Sequence, residues 1–253
     1  MVTTLYLIRH GETEGADTKR YKGSIDVPLS KKGIEQIKAV SKFLFADSSI
    51  HRFTHSPLSA VYCSDLSRAI RSAEIIAEPC GLKPVITPEL RERNFGVWEG
   101  MSFDEIREEY PEEFDAWANN PLKFSPMGGE STIEVRDRVI PAMNVILNEN
   151  GMRDQTSKGK REGRIHDTRY TIHNSSSKTP GGHIVHRASC IIHHESNIVI
   201  VAHGGVNRVI LCHFLGIPLE NIFRIEQDYG CVNVIEFWDK YPVVKLINGG
   251  VMR

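Results

Sequence analysis

Apolar residues follow two rhythms along the chain. Leu5-Tyr6-Leu7-Ile8, Ala60-Val61-Tyr62-Cys63 and Asn197-Ile198-Val199-Ile200-Val201-Ala202 are short, nearly continuous runs, the pattern of strands buried on both faces. Elsewhere the spacing is helical. Ile34, Ile37, Val40, Phe43 and Leu44 follow Ser30, an expected N-cap. Ile70, Ala73, Ile76 and Ala77 make a second helix, and Ile210, Leu211, Phe214 and Leu215 another. Phe103 to Trp117 reads as an amphipathic helix broken at Pro111 and a candidate cap over a pocket, and Thr132 to Asn148 as a helix with Pro141 a candidate kink. Val85-Ile86 is a short third strand, and 232–237 with 243–247 form two closing strands, a candidate hairpin. Strands alternating with helices predict an α/β domain.

Three of the buried runs stop abruptly at polar clusters. The first ends in Arg9-His10-Gly11-Glu12-Thr13. Arg and His at the end of a buried strand are costly unless an anion meets them. Gly11 lets backbone approach a ligand there, and Thr13 adds a hydroxyl donor. The second run passes through Ser64-Asp65-Leu66-Ser67 into Arg68, a cation in the first turn of a helix, where it opposes the dipole. An anionic ligand explains that position, with Ser64 or Asp65 as the expected cap. The third run ends in His203-Gly204-Gly205. Two His and two Arg at such junctions outline a phosphate-sized anion pocket with an imidazole nucleophile. Arg20, Tyr21 and Lys22, in the polar loop after the first strand, either reach that pocket or are solvated.

These motifs, in this order, resemble the histidine phosphatase superfamily, the phosphoglycerate mutase-like proteins. Arg9-His10-Gly11-Glu12-Thr13 looks like its signature, Ser-Asp-Leu-Ser-Arg-Ala like its second arginine motif, and His203 matches its second histidine. The resemblance implies a three-layer α/β/α fold, a mostly parallel central sheet with helices on both faces. It also implies a phosphohistidine on His10, a phosphate held by Arg9, Arg68 and a protonated His203, and no metal or cofactor. In Leu-Arg-Glu-Arg-Asn-Phe-Gly it places Glu92 as proton donor, with Glu99 as competitor. Gly11, Thr13, Arg20, Tyr21, Lys22, Glu130 and Gly204 are the expected substrate contacts. Gly129-Glu130-Ser131 is read either as lying near the substrate's alcohol or as a helix-capping turn.

Within the superfamily, Leu-Arg-Glu-Arg-Asn-Phe-Gly-Val-Trp-Glu-Gly and Gly-Gly-Glu-Ser look most like bacterial α-ribazole phosphatases and their broad-specificity relatives. The implied substrate is α-ribazole 5'-phosphate, in cobalamin synthesis. A broad-specificity or phosphoserine-type phosphatase is the alternative. Ala16, where the mutases carry Asn, weighs against a mutase. A non-catalytic binding module is the reading from another class.

Composition adds bounds. At 253 residues, 40% hydrophobic, the chain can bury a sizeable core, and a net charge of -1 gives no argument for nucleic-acid or membrane partners. A small-molecule phosphomonoester is the expected partner, with a homodimer left open. Five scattered cysteines argue against a disulfide framework. The expected location is the cytoplasm. Residues 152–196 break the pattern, with eight Lys or Arg against four Asp or Glu and six of the eleven histidines. They read as a polar, basic insertion within one histidine phosphatase domain spanning 1–253, solvated rather than metal-binding.

Overall fold

The computed structural model describes residues 2–45, 58–151, 196–239 and 241–250. The proposed insertion, apart from Ser196, lies outside the described residues. Six strands form one sheet: β1 (Val2–Arg9), β2 (Leu58–Cys63), β3 (Val85–Ile86), β4 (Ser196–Ala202), β5 (Val232–Trp238) and β6 (Tyr241–Gly249). Their order is β3-β2-β4-β1-β5-β6. The pairs β3/β2, β2/β4 and β4/β1 are parallel, while β1/β5 and β5/β6 are antiparallel. The closing strands are therefore a hairpin laid beside β1.

Helices cover both faces, which is why the central strands are apolar without alternation. Leu5, Leu7, Ile198 and Ile200 pack with Val139 and Met143 of α5 (Thr132–Glu149) and Ile210 of α6 (Gly204–Leu215). Tyr6, Ile8, Val199 and Val201 face the other way, onto Ile37 and Val40 of α1 (Lys31–Phe45) and Ala73 and Ile76 of α2 (Ser67–Ala77). Successive strand residues thus feed opposite cores, as a period of two requires. The three-layer architecture expected from the resemblance is observed.

Local chemistry sets the helix ends. Ser30 Oγ accepts from the Gly33 amide (3.0 Å), the expected start of α1. Pro111 divides α3 (Phe103–Glu109) from α4 (Pro111–Asn119) and occupies the first turn of the latter, where its missing N–H costs nothing. α5 starts in a capping box, Ser131 with Glu134, and runs on through Pro141. The expected cap of α2 is corrected. Neither Ser64 nor Asp65 caps it; Asp26, from the loop after β1, accepts from the Ser67 amide (2.8 Å) and hydroxyl (2.7 Å). Ser64 and Asp65 are otherwise engaged, with His203 and Arg91.

Gly11 is also corrected. A Cβ on Gly11 would stand 2.3 Å from the Gly33 carbonyl oxygen, and one on Gly33 would stand 2.0 Å from that of Glu12. The two glycines let the chain leaving β1 lie directly on the first turn of α1. Gly11 is needed for that packing, and it is not among the residues lining the cavity described below.

Candidate active site

Parallel pairing of β1 with β4 sets Arg9 opposite Ala202, so the residues that follow, His10 and His203, emerge side by side. The His10 amide donates to Ala202 O (3.1 Å), and the ring centroids are 5.0 Å apart, edge to face. His10 is 5% exposed and His203 fully buried behind it. His10 Nδ1 donates to the Gly11 carbonyl (2.7 Å), which leaves Nε2 with its lone pair. Ser64, at the end of β2, places its Oγ 2.6 Å from His203 Nε2. With that hydroxyl as donor, His203 Nδ1 carries the proton, and it has no partner among the described residues.

Cations surround the pair. The Arg9 guanidinium lies 3.9 Å above the Tyr229 ring and donates to Gln227 O (2.5 Å), while its buried Nε has no partner among the described residues. Arg68, 2% exposed, donates to the carbonyls of Ile25 (2.7 Å) and Gly23 (2.6 Å), so the loop that caps α2 also orients its arginine. Lys22 Nζ donates to Thr13 Oγ1 (2.6 Å) and to the Glu14 carbonyl. Burial, reinforced by Arg9 and Arg68, holds His10 well below the ordinary imidazole value. His203 is lowered likewise, by burial first and then by His10, Arg68 and Arg9. Burial and the neighbouring cations thus disfavour the expected protonated His203, which as a neutral ring is an N–H donor.

Glu92 lies on the cavity wall, after a short 3-10 turn at Pro88–Leu90. Its carboxylate accepts from the Gly205 amide (3.0 Å), in the first turn of α6, and from the Arg93 amide (3.0 Å). A Cβ on Gly205 would stand 2.5 Å from Glu92 Oε1, so the second glycine of His-Gly-Gly makes room for this carboxylate. Glu99 instead accepts from the Ser24 and Phe95 amides, and it does not line the cavity. Glu130 is outside it too. Its carboxylate pairs with Arg138 (2.7 Å) and accepts from the Asn94 amide (3.0 Å), while Arg138 donates to the Glu89 and Glu92 carbonyls. Glu130 thus braces the segment that carries Glu92, where a substrate contact was expected.

The cavity has a volume of about 490 Å³, within the range of small-molecule sites. Arg9, His10, Thr13, Lys22, Arg68 and Glu92 line one end, with Gly204 beside them. Arg20 and Tyr21 line it as well, but the Arg20 guanidinium is held by both oxygens of Glu105 (2.6 and 2.7 Å), tying this loop to α3. The lining also holds an aromatic wall, Trp98, Phe103, Phe114 and Trp117 in mutual ring contact, with Phe95 and Phe223. Phe103, Phe114 and Trp117 come from α3 and α4 and pack on one another at 5.0–6.1 Å. Sequence reading missed part of this wall, Gly205 and Arg208. Of the wall, the stretch from Phe103 to Trp117 was expected as a cap over the pocket, but Phe95, Trp98 and Phe223 were not. Among the described residues there is no cluster of three or more His, Cys, Asp or Glu suited to a metal ion, and no helix long and apolar enough to cross a membrane.

Comparison with known proteins gives this geometry a family. The chain is 26% identical over 245 residues to the adenosylcobalamin/alpha-ribazole phosphatase of Escherichia coli (strain K12), covering 96% of this chain and 95% of that protein. It is 26% identical over 244 residues to phosphoserine phosphatase 1 of Hydrogenobacter thermophilus, covering 96% and 91%. The solved structure of Bacillus stearothermophilus YhfR superposes with a TM-score of 0.71 at 26% identity, covering 99% of this chain and all of that one. The family model of the histidine phosphatase superfamily (branch 1) matches residues 5–155 and 187–249. The chain belongs to the histidine phosphatase superfamily, and it is a phosphatase.

Proposed function

We propose that the protein hydrolyses α-ribazole 5'-phosphate, or a phosphomonoester of the same build, through a phosphohistidine on His10. The observation that carries the substrate is the aromatic wall adjoining the cationic end. Phosphoserine and 3-phosphoglycerate have small, polar alcohol parts that leave this wall in water. A benzimidazole riboside reaches it with a flat apolar ring, and each aromatic pair contributes about 0.5–1.5 kcal/mol beyond buried area. The E. coli relative, named an adenosylcobalamin/alpha-ribazole phosphatase, supports the same choice.

In this mechanism Arg9 and Arg68 neutralise the phosphoryl oxygens, and His203 Nδ1–H adds a neutral hydrogen bond. His10 Nε2 attacks phosphorus in line as the P–O bond to the alcohol breaks, and Glu92, entering the step as the carboxylic acid, gives its proton to the departing oxygen and is left as carboxylate. Water then attacks the phosphohistidine, Glu92 takes its proton, and inorganic phosphate leaves with His10 restored. The fixed arginines supply the charge stabilisation throughout.

The substrate reading is tested by phosphate release from α-ribazole 5'-phosphate, phosphoserine, 3-phosphoglycerate and phenyl phosphate, with chelator present and His10→Ala as blank. The ribazole ester should show the highest kcat/KM, unaffected by chelator. A preference for phosphoserine or phosphoglycerate overturns the reading. Glu92→Ala should lose about 10²–10⁴-fold with an alkyl phosphate and far less with an activated aryl phosphate, whose leaving group needs no proton. Equal losses would remove Glu92 from the acid role.

The lowered histidines also make a stability prediction. Below about pH 6.5 the unfolded chain binds protons at His10 and His203 that the folded chain does not, so stability falls as pH drops from that value. The urea midpoint should decline between pH 7 and pH 5, and less steeply in His203→Gln. Identical slopes would mean that the buried ring is not held neutral.

A further inference from the structure

Arg208 has no place in the mechanism above, yet it lines the same cavity as the cations and the aromatic residues. It sits on the second turn of α6, on the segment opened by His203. Its Nε donates to the Ile225 carbonyl (2.6 Å), which fixes the plane of the guanidinium. Its two Nη groups donate to nothing among the described residues. From the point where a Gly204 Cβ would stand, Arg208 Nη1 is 3.5 Å away and Arg9 Cζ 3.4 Å, so the two guanidiniums flank the same glycine. Glu92 and Arg9 are its nearest charged influences, but no carboxylate among the described residues pairs with it. Its neighbours on the wall, Val209, Ile222 and Phe223, are apolar.

The other cavity arginines are spoken for. Arg20 is paired with Glu105, and Arg93 donates to the Glu130 and Phe124 carbonyls and to Thr132. Arg68 donates to two loop carbonyls. Arg9 is held through one Nη by Gln227 O, whereas Arg208 is held through Nε and keeps both Nη groups unengaged by the described residues. It is beside Glu92, hence on the side from which the alcohol departs.

We infer that Arg208 is a specificity-determining residue that hydrogen-bonds hydroxyl oxygens of a sugar in the leaving alcohol, between the phosphate in the cationic end and the ring on the aromatic wall. The inference rests on the phosphatase mechanism proposed above and deepens its substrate class to phosphorylated ribosides. A hydroxyl that meets a guanidinium there replaces hydration the arginine loses on closure, whereas a hydrocarbon chain leaves the fork unpaired.

Ribose 5-phosphate and n-pentyl phosphate test it, since both are primary alkyl esters and only one carries hydroxyls. The readout is the ratio of their kcat/KM values within each variant, so the folded fraction cancels. In Arg208→Met the ratio should fall by about tenfold or more, mainly through KM, as loss of a charged hydrogen bond predicts, and Arg208→Lys should restore part of it. An unchanged ratio, whether both esters slow equally or neither does, overturns the inference. So does a loss confined to phosphoserine in the same variants, which would assign Arg208 to a carboxylate. Failure of the ribazole reading is seen separately, as a wild-type preference for another ester in the panel, and leaves this ratio interpretable.

Discussion

The site depends on one parallel strand pairing. Arg9 lies opposite Ala202 in the β1–β4 register, and from that single alignment two histidines nearly the whole chain apart come to lie edge to face. A slip of one residue would turn every side chain of β1 to the opposite core, separating Leu5 and Leu7 from α5 and α6. The hydrophobic layers therefore enforce the register, and the register places the chemistry. β2 joins through the same logic: Ser64 leaves its end at the level where His203 needs an acceptor or donor. Catalytic geometry here is a by-product of burying both faces of the sheet.

Gathering positive charge in a buried place sets the second constraint. Arg9, Arg68 and two imidazoles cannot all be charged together without large repulsion and desolvation. Burial and the arginines push both imidazoles toward the neutral form, and the arginines take carbonyl partners: Gln227 for Arg9, and Gly23 and Ile25 for Arg68. Carbonyls hold a guanidinium in place without cancelling its charge. A carboxylate would have fixed it equally well and spent the attraction intended for phosphate. The one acidic group at this end, Glu92, is kept on the wall by two backbone amides rather than by an arginine.

Much of this was legible in the sequence because strands that end in polar clusters leave a local trace. The continuous run before Arg9-His10 and its echo before His203 showed both the central strands and the site, and Ser30 and Pro111 marked helix ends correctly. What escaped reading was non-local. Asp26 caps α2 from another loop and Gly11 faces Gly33, and no short window contains either pair; Glu130 is drawn to Arg138, on the helix that follows it. The downward push on the His203 ring follows first from its depth, which motif matching does not convey. The amphipathic stretch from Phe103 to Trp117 hinted at a cap over the pocket, but Trp98 and Phe223 left no such trace, and Arg208 looked like any polar residue on a helix.

The account stands most directly on whether phosphate passes through His10. Rapid mixing with substrate, a denaturing alkaline quench and mass analysis of the peptides would catch the intermediate. The account predicts a single acid-labile phosphate on the His10 peptide, formed no more slowly than turnover and absent from His203. Turnover with His10 never labelled, or label on His203 instead, would contradict it.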